Sequence, residues 1–285
     1  MLKDVRMIEI EIHSYCNRVC EWCPNNKIYR HDFNDLPENL YLKILNELKN
    51  NYFNGVISFS RYNEPLYDSL LINKRTKQAK EILPNIKLVT NTNGDYLREQ
   101  NIKDLYIDEL TIMDYDCKGL EKCKEKLINA NIKIDALDYP YIYGHYNNMK
   151  ILYYINWPNF AEIEDRGGFL TYHKTFSTNN DMNWKNNKEK RKRPCYEPKY
   201  FIAIDYNGNV MPCCHLRSDN EDHKKMILGN IKNESLVEIY HSPKAKYIRN
   251  TMSLKNNNKY FNCCKYCQKD PGRYTRNKSG INYKE

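Results

Sequence analysis

The stretch Met7-Ile8-Glu9-Ile10-Glu11-Ile12 runs directly into His13-Ser14-Tyr15-Cys16-Asn17-Arg18-Val19-Cys20-Glu21-Trp22-Cys23. The first part alternates apolar and polar residues at period two, which predicts a strand. The second part breaks that alternation and sets three cysteines within eight residues, in a loop that follows the strand at once. Three thiolates at the spacing Cys16-x3-Cys20-x2-Cys23 can wrap three corners of a 4Fe–4S cluster and leave its fourth iron open to an outside ligand. Zinc is the competing reading, with His13 as the candidate fourth ligand.

Outward from this stretch, short apolar runs alternate with helical patterns. Besides Met7–Ile12, strands are predicted at Val56–Ser60, Ile86–Asn91, Leu110–Asp114, Ile132–Leu137 and Ile151–Ile155. Leu40, Ile44, Leu45 and Leu48 recur at helical spacing after Asp35-Leu36-Pro37, and Leu70 to Leu83 and Leu120 to Ile128 behave alike. Strands alternating with helices imply parallel βαβ units. Six such strands can curl into a partial barrel with its working residues at the C-terminal strand ends.

The composition changes near residue 157. Residues 173–194 are polar and charged and read as a linker, with the basic run Lys185–Arg193 as a solvated part of it. Tyr200–Ile204, Asn207-Gly208 and Val210–Met211 predict a hairpin closed by a type I′ turn. Ser235 is predicted to cap a helix reaching about Arg249. Residues 268–285 read as a loose tail.

Composition narrows the class. The chain has 285 residues, 25 of them Tyr, and a formal charge of +9. Mean hydropathy is −0.84, so the core must draw on rings whose hydroxyls need partners. No apolar run approaches the roughly 18 residues of a membrane span, and Met1–Arg6 does not open as a signal peptide; a soluble, cytoplasmic protein is expected. The positive charge is dispersed rather than gathered in a stripe, so a nucleic-acid partner is not expected. Eleven cysteines, an odd number, in a chain expected in a reducing compartment favour metal ligation over disulfides. Cys195, Cys213 and the pair Cys264-x2-Cys267 form a second constellation: Gly208 reverses the chain and returns Cys213 towards Cys195, and the later pair completes four thiolates. Cys214 and Cys263 are adjacent competitors for ligation, while Cys117 and Cys123 lack partner spacing and read as free thiols.

Cys16-x3-Cys20-x2-Cys23 after the first strand, with Trp22 beside the last cysteine, resembles the radical S-adenosylmethionine (SAM) enzymes. In that family the SAM amino and carboxylate groups chelate the open iron. Reductive cleavage of SAM then gives a 5′-deoxyadenosyl radical that abstracts a substrate hydrogen. Further strings agree: Asn63-Glu64-Pro65 follows the second strand, where the family binds the methionine amino group, although Tyr62 and Asn63 replace its two glycines. Thr92-Asn93-Gly94 follows the third strand. The resemblance implies a cofactor-binding set of Tyr15, Trp22, Asn63, Glu64 and Asn93. The second constellation resembles the SPASM/twitch extension of the family, in its form with one auxiliary cluster. Asp165-Arg166-Gly167-Gly168 resembles a string between barrel and extension, departing at Asp165. Arg166 is a candidate for the SAM carboxylate or a substrate oxygen, and Asp114, ending the fourth strand, for the SAM ribose or the substrate.

The expected fold is therefore α/β, a partial (β/α)6 barrel of TIM type with a small hairpin-and-helix auxiliary domain. The expected division is a barrel over 1–170, a linker over 171–194 and an auxiliary unit with its tail over 195–285. The expected function is dehydrogenation of a small polar alcohol such as a sugar or cyclitol, with the auxiliary cluster accepting an electron. A reducing donor such as flavodoxin or ferredoxin is the expected redox partner. Modification of a peptide by cross-linking or epimerisation is the alternative, and a non-catalytic iron–sulfur carrier or zinc module is disfavoured by the open-site triplet.

Overall fold

A computed structural model describes residues 1–30, 32–160, 166–168, 173–176, 182–185, 190–254, 261–267, 276–277 and 280–281. Asp165, much of the expected linker and most of the tail lie outside the described residues.

A ten-stranded sheet organises the chain, and β1 (Met7–Ile10) sits inside it. On one side β1 pairs in parallel with β2 (Val56–Ser58), followed by β3 (Lys87–Thr92), β4 (Glu109–Met113) and β7 (Met149–Tyr154), each parallel to its neighbour. Helices α1 (Glu38–Asn50), α2 (Ser69–Ile82), the short α3 (Glu99–Ile102) and α4 (Leu120–Asn129) fall in the crossovers. Helix α1 turns Leu40, Tyr41, Ile44, Leu45 and Leu48 inward, the stripe read from its spacing. Every residue of β2 is buried, as expected of a parallel sheet covered on both faces.

The expected strand Ile132–Leu137 is present as β5 (Lys133–Asp138), but in another role. It forms an antiparallel hairpin with β6 (Tyr141–Tyr146), which pairs antiparallel with β7. Only Tyr139-Pro140 joins β5 to β6, and a link so short closes an antiparallel pair but not a parallel crossover. The crossover from β4 to β7 therefore contains α4 and a hairpin, and β5, at the sheet edge, is largely exposed.

On its other side β1 pairs in parallel with β10 (Phe201–Ile204), all four residues of which are buried. Ile8 lies opposite both Ile202 and Ile57. The later part of the chain thus continues the same sheet, through β11 (Asn209–Met211) and β12 (Gly229–Asn230), both antiparallel. The turn between β10 and β11 differs from the expected type I′. The amide of Gly208 donates to Asp205 O (2.9 Å) and that of Asp205 to Asn209 O (3.0 Å), and only Gly208 of the loop has positive φ (82°). This is a three-residue loop, a type I turn closed by a left-handed glycine. Asp205 Oδ1 accepts the amides of Asn207 and Asn209 and selects that form.

The helix expected from Ser235 to Arg249 is two helices, α5 (Leu236–His241) and α6 (Pro243–Met252). Ser235 and Glu238 form a reciprocal capping box, while Pro243 stops α5 and starts α6 behind the cap Ser242. Part of the expected linker, His173–Phe176 and Met182–Lys185, forms a separate two-stranded antiparallel sheet (β8, β9).

Ile8 is fully buried where both halves of the sheet meet. Ile8→Ala should cost about 2–5 kcal/mol of unfolding free energy by denaturant titration, with the loss seen by probes in both halves.

Candidate functional site

Two sites emerge, and the same polar contacts join them. At the first, Cys16, Cys20 and Cys23 lie in the loop between β1 and α1. The amide of Cys23 donates to Cys20 O (2.9 Å), and a 3-10 turn over Pro24–Asn26 follows. Burial pushes the thiols of Cys16 and Cys20 up to about 12, and each lies near enough to the others for their charges to oppose. Burial raises Cys23 too, against the opposing pull of the Arg166, Arg217 and Arg30 guanidiniums.

The neighbouring motifs knit to this loop. Glu64 is buried and its amide donates to Tyr15 O (2.8 Å). Its carboxylate accepts from Thr92 Oγ1 (2.5 Å), the Asn93 amide (2.8 Å) and the Leu66 amide (3.1 Å). Asn93 Nδ2 donates to Asn17 Oδ1 (2.8 Å), and Asn17 Nδ2 to Asp95 Oδ2 (2.7 Å). Arg18 forks onto Asp95 and also onto Asp116 beyond β4, with contacts of 2.6–2.9 Å. The ends of β2, β3 and β4 are therefore tied to the cysteine loop through side chains at its centre. Tyr15 stacks its ring on Phe33 (centroids 4.3 Å apart) and meets Tyr67 at a tilt (4.1 Å). Trp22 meets Tyr115 and Trp157 (5.7 and 5.9 Å).

Two expected residues are held by their own turns. Asn63 accepts from the Arg61 amide (3.0 Å) and donates to Phe59 O (3.3 Å). Asp114 is 4% exposed, and its carboxylate accepts from the amides of Lys118 and Asn156 (both 3.1 Å) and, at 3.6 Å, from the Cys123 thiol. Its carbonyl accepts from the Trp157 amide (3.1 Å), which places that ring near Trp22. Arg166 has a left-handed backbone (φ 50°) and lies close enough to favour ionisation of Cys23 and Tyr62.

The second site is a cavity lined by Cys195, Cys213, Cys264 and Cys267, together with Cys263. Cys263 and Cys264 hold their sulfurs 3.8 Å apart, and the Cys263 thiol, with burial, raises Cys264 well above the usual thiol range. Cys214 groups instead with Cys213 and Glu197 within 4.8 Å. The cavity wall also carries Arg191, Glu197 and His215, none of which the sequence reading singled out. Arg191 belongs to the run expected to be solvated but is 4% exposed. Its burial arises from contacts with residues more than seventy positions away, so no local pattern announces it.

Both donor sets fit iron–sulfur ligation. Each gathers thiols into a volume where burial disfavours the thiolate, an arrangement that a cationic cluster compensates. The first supplies three sulfurs beside polar groups able to hold a ligand, whereas the second supplies enough for a fully ligated cluster.

Residues 195–268 match the iron–sulfur cluster-binding domain SPASM. Over 261 residues the chain is 26% identical to the S-adenosyl-L-methionine-dependent 2-deoxy-scyllo-inosamine dehydrogenase of Niallia circulans, covering 92% of each. The chain carries a SPASM-type iron–sulfur cluster-binding domain, and it is similar over nearly its whole length to a SAM-dependent dehydrogenase. The structure of BtrN in complex with AdoMet and 2-DOIA superposes with a TM-score of 0.69 at 25% identity, covering 93% of both chains. BtrN in an open conformation shares the fold, with a TM-score of 0.60 at 22% identity and coverage of 93% of this chain and 92% of that one. The expected α/β architecture, SAM and iron–sulfur cofactors and oxidoreductase class agree with these relatives, and the peptide-modifying alternative finds no support in them. Among the described residues no helix is long and apolar enough to cross a membrane.

Burial raises the Glu64 carboxyl to about 7, against the hydrogen bonds from Thr92, Asn93 and Leu66. The folded chain then holds this proton more tightly than the unfolded chain, so stability falls as pH rises from the unfolded carboxyl value to about 7 and stays lower above it. Urea unfolding of the cofactor-free protein at pH 4.5 and pH 8 should show this fall, and Glu64→Ala should remove about 3 kcal/mol of the difference.

Proposed function

We propose that the chain oxidises one hydroxyl of a small polar cyclitol or amino-sugar alcohol to a ketone, with Cys16, Cys20 and Cys23 holding the SAM-binding cluster and Cys195, Cys213, Cys264 and Cys267 the auxiliary one. When bound, SAM and the two clusters supply a hydrogen-abstracting radical and a one-electron acceptor. The net change removes two protons and two electrons from the carbinol, one of each together as a hydrogen atom and the second electron to the acceptor. The observation that carries this reading is the cavity that gathers Cys195, Cys213, Cys264 and Cys267: four sulfurs on one cluster would leave no iron open to substrate, which suits electron transfer better than Lewis-acid chemistry. The near end-to-end match to a dehydrogenase of an aminocyclitol supports the substrate class.

The remaining residues take roles in keeping with their positions. Glu64 accepts from the methionine ammonium of SAM, with Asn93 and Tyr15 shaping the same pocket. Trp22 flanks the adenine, and Arg166 offers a planar cation to the SAM carboxylate or a substrate oxygen. Asn63 and Asp114 act by fixing the turns that carry Glu64 and Trp157. Residues 1–170 form the SAM unit, 171–194 the connection and 195–285 the auxiliary unit. A small acidic flavodoxin or ferredoxin delivers the electron that starts the cycle, in the cytoplasm, where thiols stay reduced.

Anaerobically reconstituted protein incubated with SAM, dithionite and 2-deoxy-scyllo-inosamine, or neighbouring aminocyclitols, should give one ketone per 5′-deoxyadenosine. Substrate-independent SAM cleavage with no ketone from any of them would overturn the substrate class. Replacing Cys16, Cys20 and Cys23 by Ala should abolish 5′-deoxyadenosine while about four irons remain per chain. Replacing Cys264 and Cys267 by Ala should do the reverse, sparing SAM cleavage and stopping ketone formation; normal ketone yield would remove the auxiliary site from the reaction.

A further inference from the structure

Arg191 occupies an unusual place in the auxiliary cavity. Its guanidinium donates to Arg193 O through Nε (2.8 Å), to Pro194 O through Nη2 (2.9 Å) and to Cys267 O through Nη1 (2.8 Å). Its own amide donates to Lys265 O (2.8 Å). One side chain is thus tied both to the backbone just before Cys195 and to Cys267. These three acceptors are carbonyl oxygens, which carry no formal charge of their own. A cation that is 4% exposed stands in the wall that carries Cys195, Cys213, Cys264 and Cys267. His215, 3% exposed, complements it: the His215 amide donates to Cys213 Sγ (3.4 Å), and Nδ1 lies 3.8 Å from Cys267 Sγ.

We infer that Arg191 is a positioning residue whose fixed charge sets the reduction potential of the auxiliary cluster, so that the cluster can accept an electron during substrate oxidation. The inference rests on the ligation proposed above. Four thiolates around a doubly positive core carry a net charge of −2, and one-electron reduction makes it −3. Adding negative charge to a volume closed to water is costly, and a cation held in the wall offsets part of that cost. The charge favours the reduced state and raises the potential. A lysine keeps the charge but not the three-way fork, which separates electrostatics from scaffolding.

The test uses the full chain with Cys16, Cys20 and Cys23 replaced by Ala, so that any cluster signal comes from the auxiliary site. Iron content and Mössbauer spectra first establish whether that site is loaded; an empty site in this background overturns the ligation and the inference together. With the site loaded, EPR-monitored redox titration compares Arg191, Arg191→Lys and Arg191→Gln. Arg191→Gln should lower the equilibrium constant for reduction at least tenfold, about 59 mV for one electron, while Arg191→Lys should stay near the parent value. If Arg191→Gln loses the cluster but Arg191→Lys keeps it at the parent potential, charge is again the requirement. An unchanged potential in Arg191→Gln overturns the inference and leaves the ligation standing. Loss of the cluster in both variants, or a lowered potential in Arg191→Lys equal to that of Arg191→Gln, also overturns it, because the fork alone then matters.

Discussion

A fully buried arginine ties the two thiol sites to each other. Arg217 donates to Asn25 Oδ1 (2.7 Å) and Ile28 O (3.0 Å), both just after Cys23, and forks onto Asp219 at 2.6 and 2.8 Å. Asp219 also accepts from Arg30 Nε (2.9 Å), and Arg30 reaches Glu11 just past β1 (2.6 Å). Burial alone would raise the Asp219 carboxyl, yet the two guanidiniums hold it well below the ordinary range. Removing one partner from a buried network of this kind leaves an uncompensated charge and costs about 3–5 kcal/mol. The network therefore permits one arrangement of the cysteine loop against the segment that follows Cys213 and Cys214. Tyr62 and Arg61 add hydrogen bonds to Cys214 O and Leu216 O, and His223 Nε2 donates to Gly167 O (2.8 Å).

This polar layer is possible because β10 pairs with β1. Had the auxiliary unit formed a sheet of its own, its contacts with the barrel would be those of a domain interface, free to slide. Backbone pairing of Met7 to Ile10 against Phe201 to Ile204 instead fixes the register over almost two hundred residues of chain. A slip of one residue would exchange the side chains that one strand sends to the two covered faces of the sheet and so disrupt the packing on both. The separation of the two thiol sites is thus set by strand register and by Arg217 together.

Much of this was legible in the sequence, because periodicity is local. The apolar stripe of α1, the strand character of β1, the cap at Ser235 and the cysteine spacings all declare themselves within a few residues. What stayed hidden is set at long range or by competition. Nothing near Ile202 says that its partner is Ile8. Asn207-Gly208 signals a two-residue turn, but the Asp205 carboxylate caps two amides and selects a three-residue one. Ile132–Leu137 has the composition of a strand, and only the brevity of the following link reveals its antiparallel direction. Asp114 sits at a strand end, where a barrel offers side chains to ligands, yet backbone amides of the next turns engage its carboxylate. Arg191 lies in a basic run that reads as solvated, and its burial depends on Cys267, which is distant in sequence.

The two sites also differ in how their surroundings treat charge, and that difference matches the division of labour proposed for them. Around Cys16, Cys20 and Cys23 stand groups suited to a zwitterionic ligand: the Glu64 carboxylate, with the guanidinium of Arg166 acting on Cys23. An acid and a base near the same three thiols can each hold one end of an amino-acid moiety, while the thiols leave an iron free for it. The auxiliary cavity pairs its sulfurs with apolar walls from Leu216, Met226 and Met252. Its polar contacts run to ligand-bearing backbone and to sulfur, through Arg191 and His215. Such a lining has few groups with which to orient a hydroxylated substrate, but it can hold a change of charge on the sulfurs without rearrangement. On the proposed reading the alcohol belongs nearer the first site, where radical chemistry needs contact, and only an electron needs to reach the second.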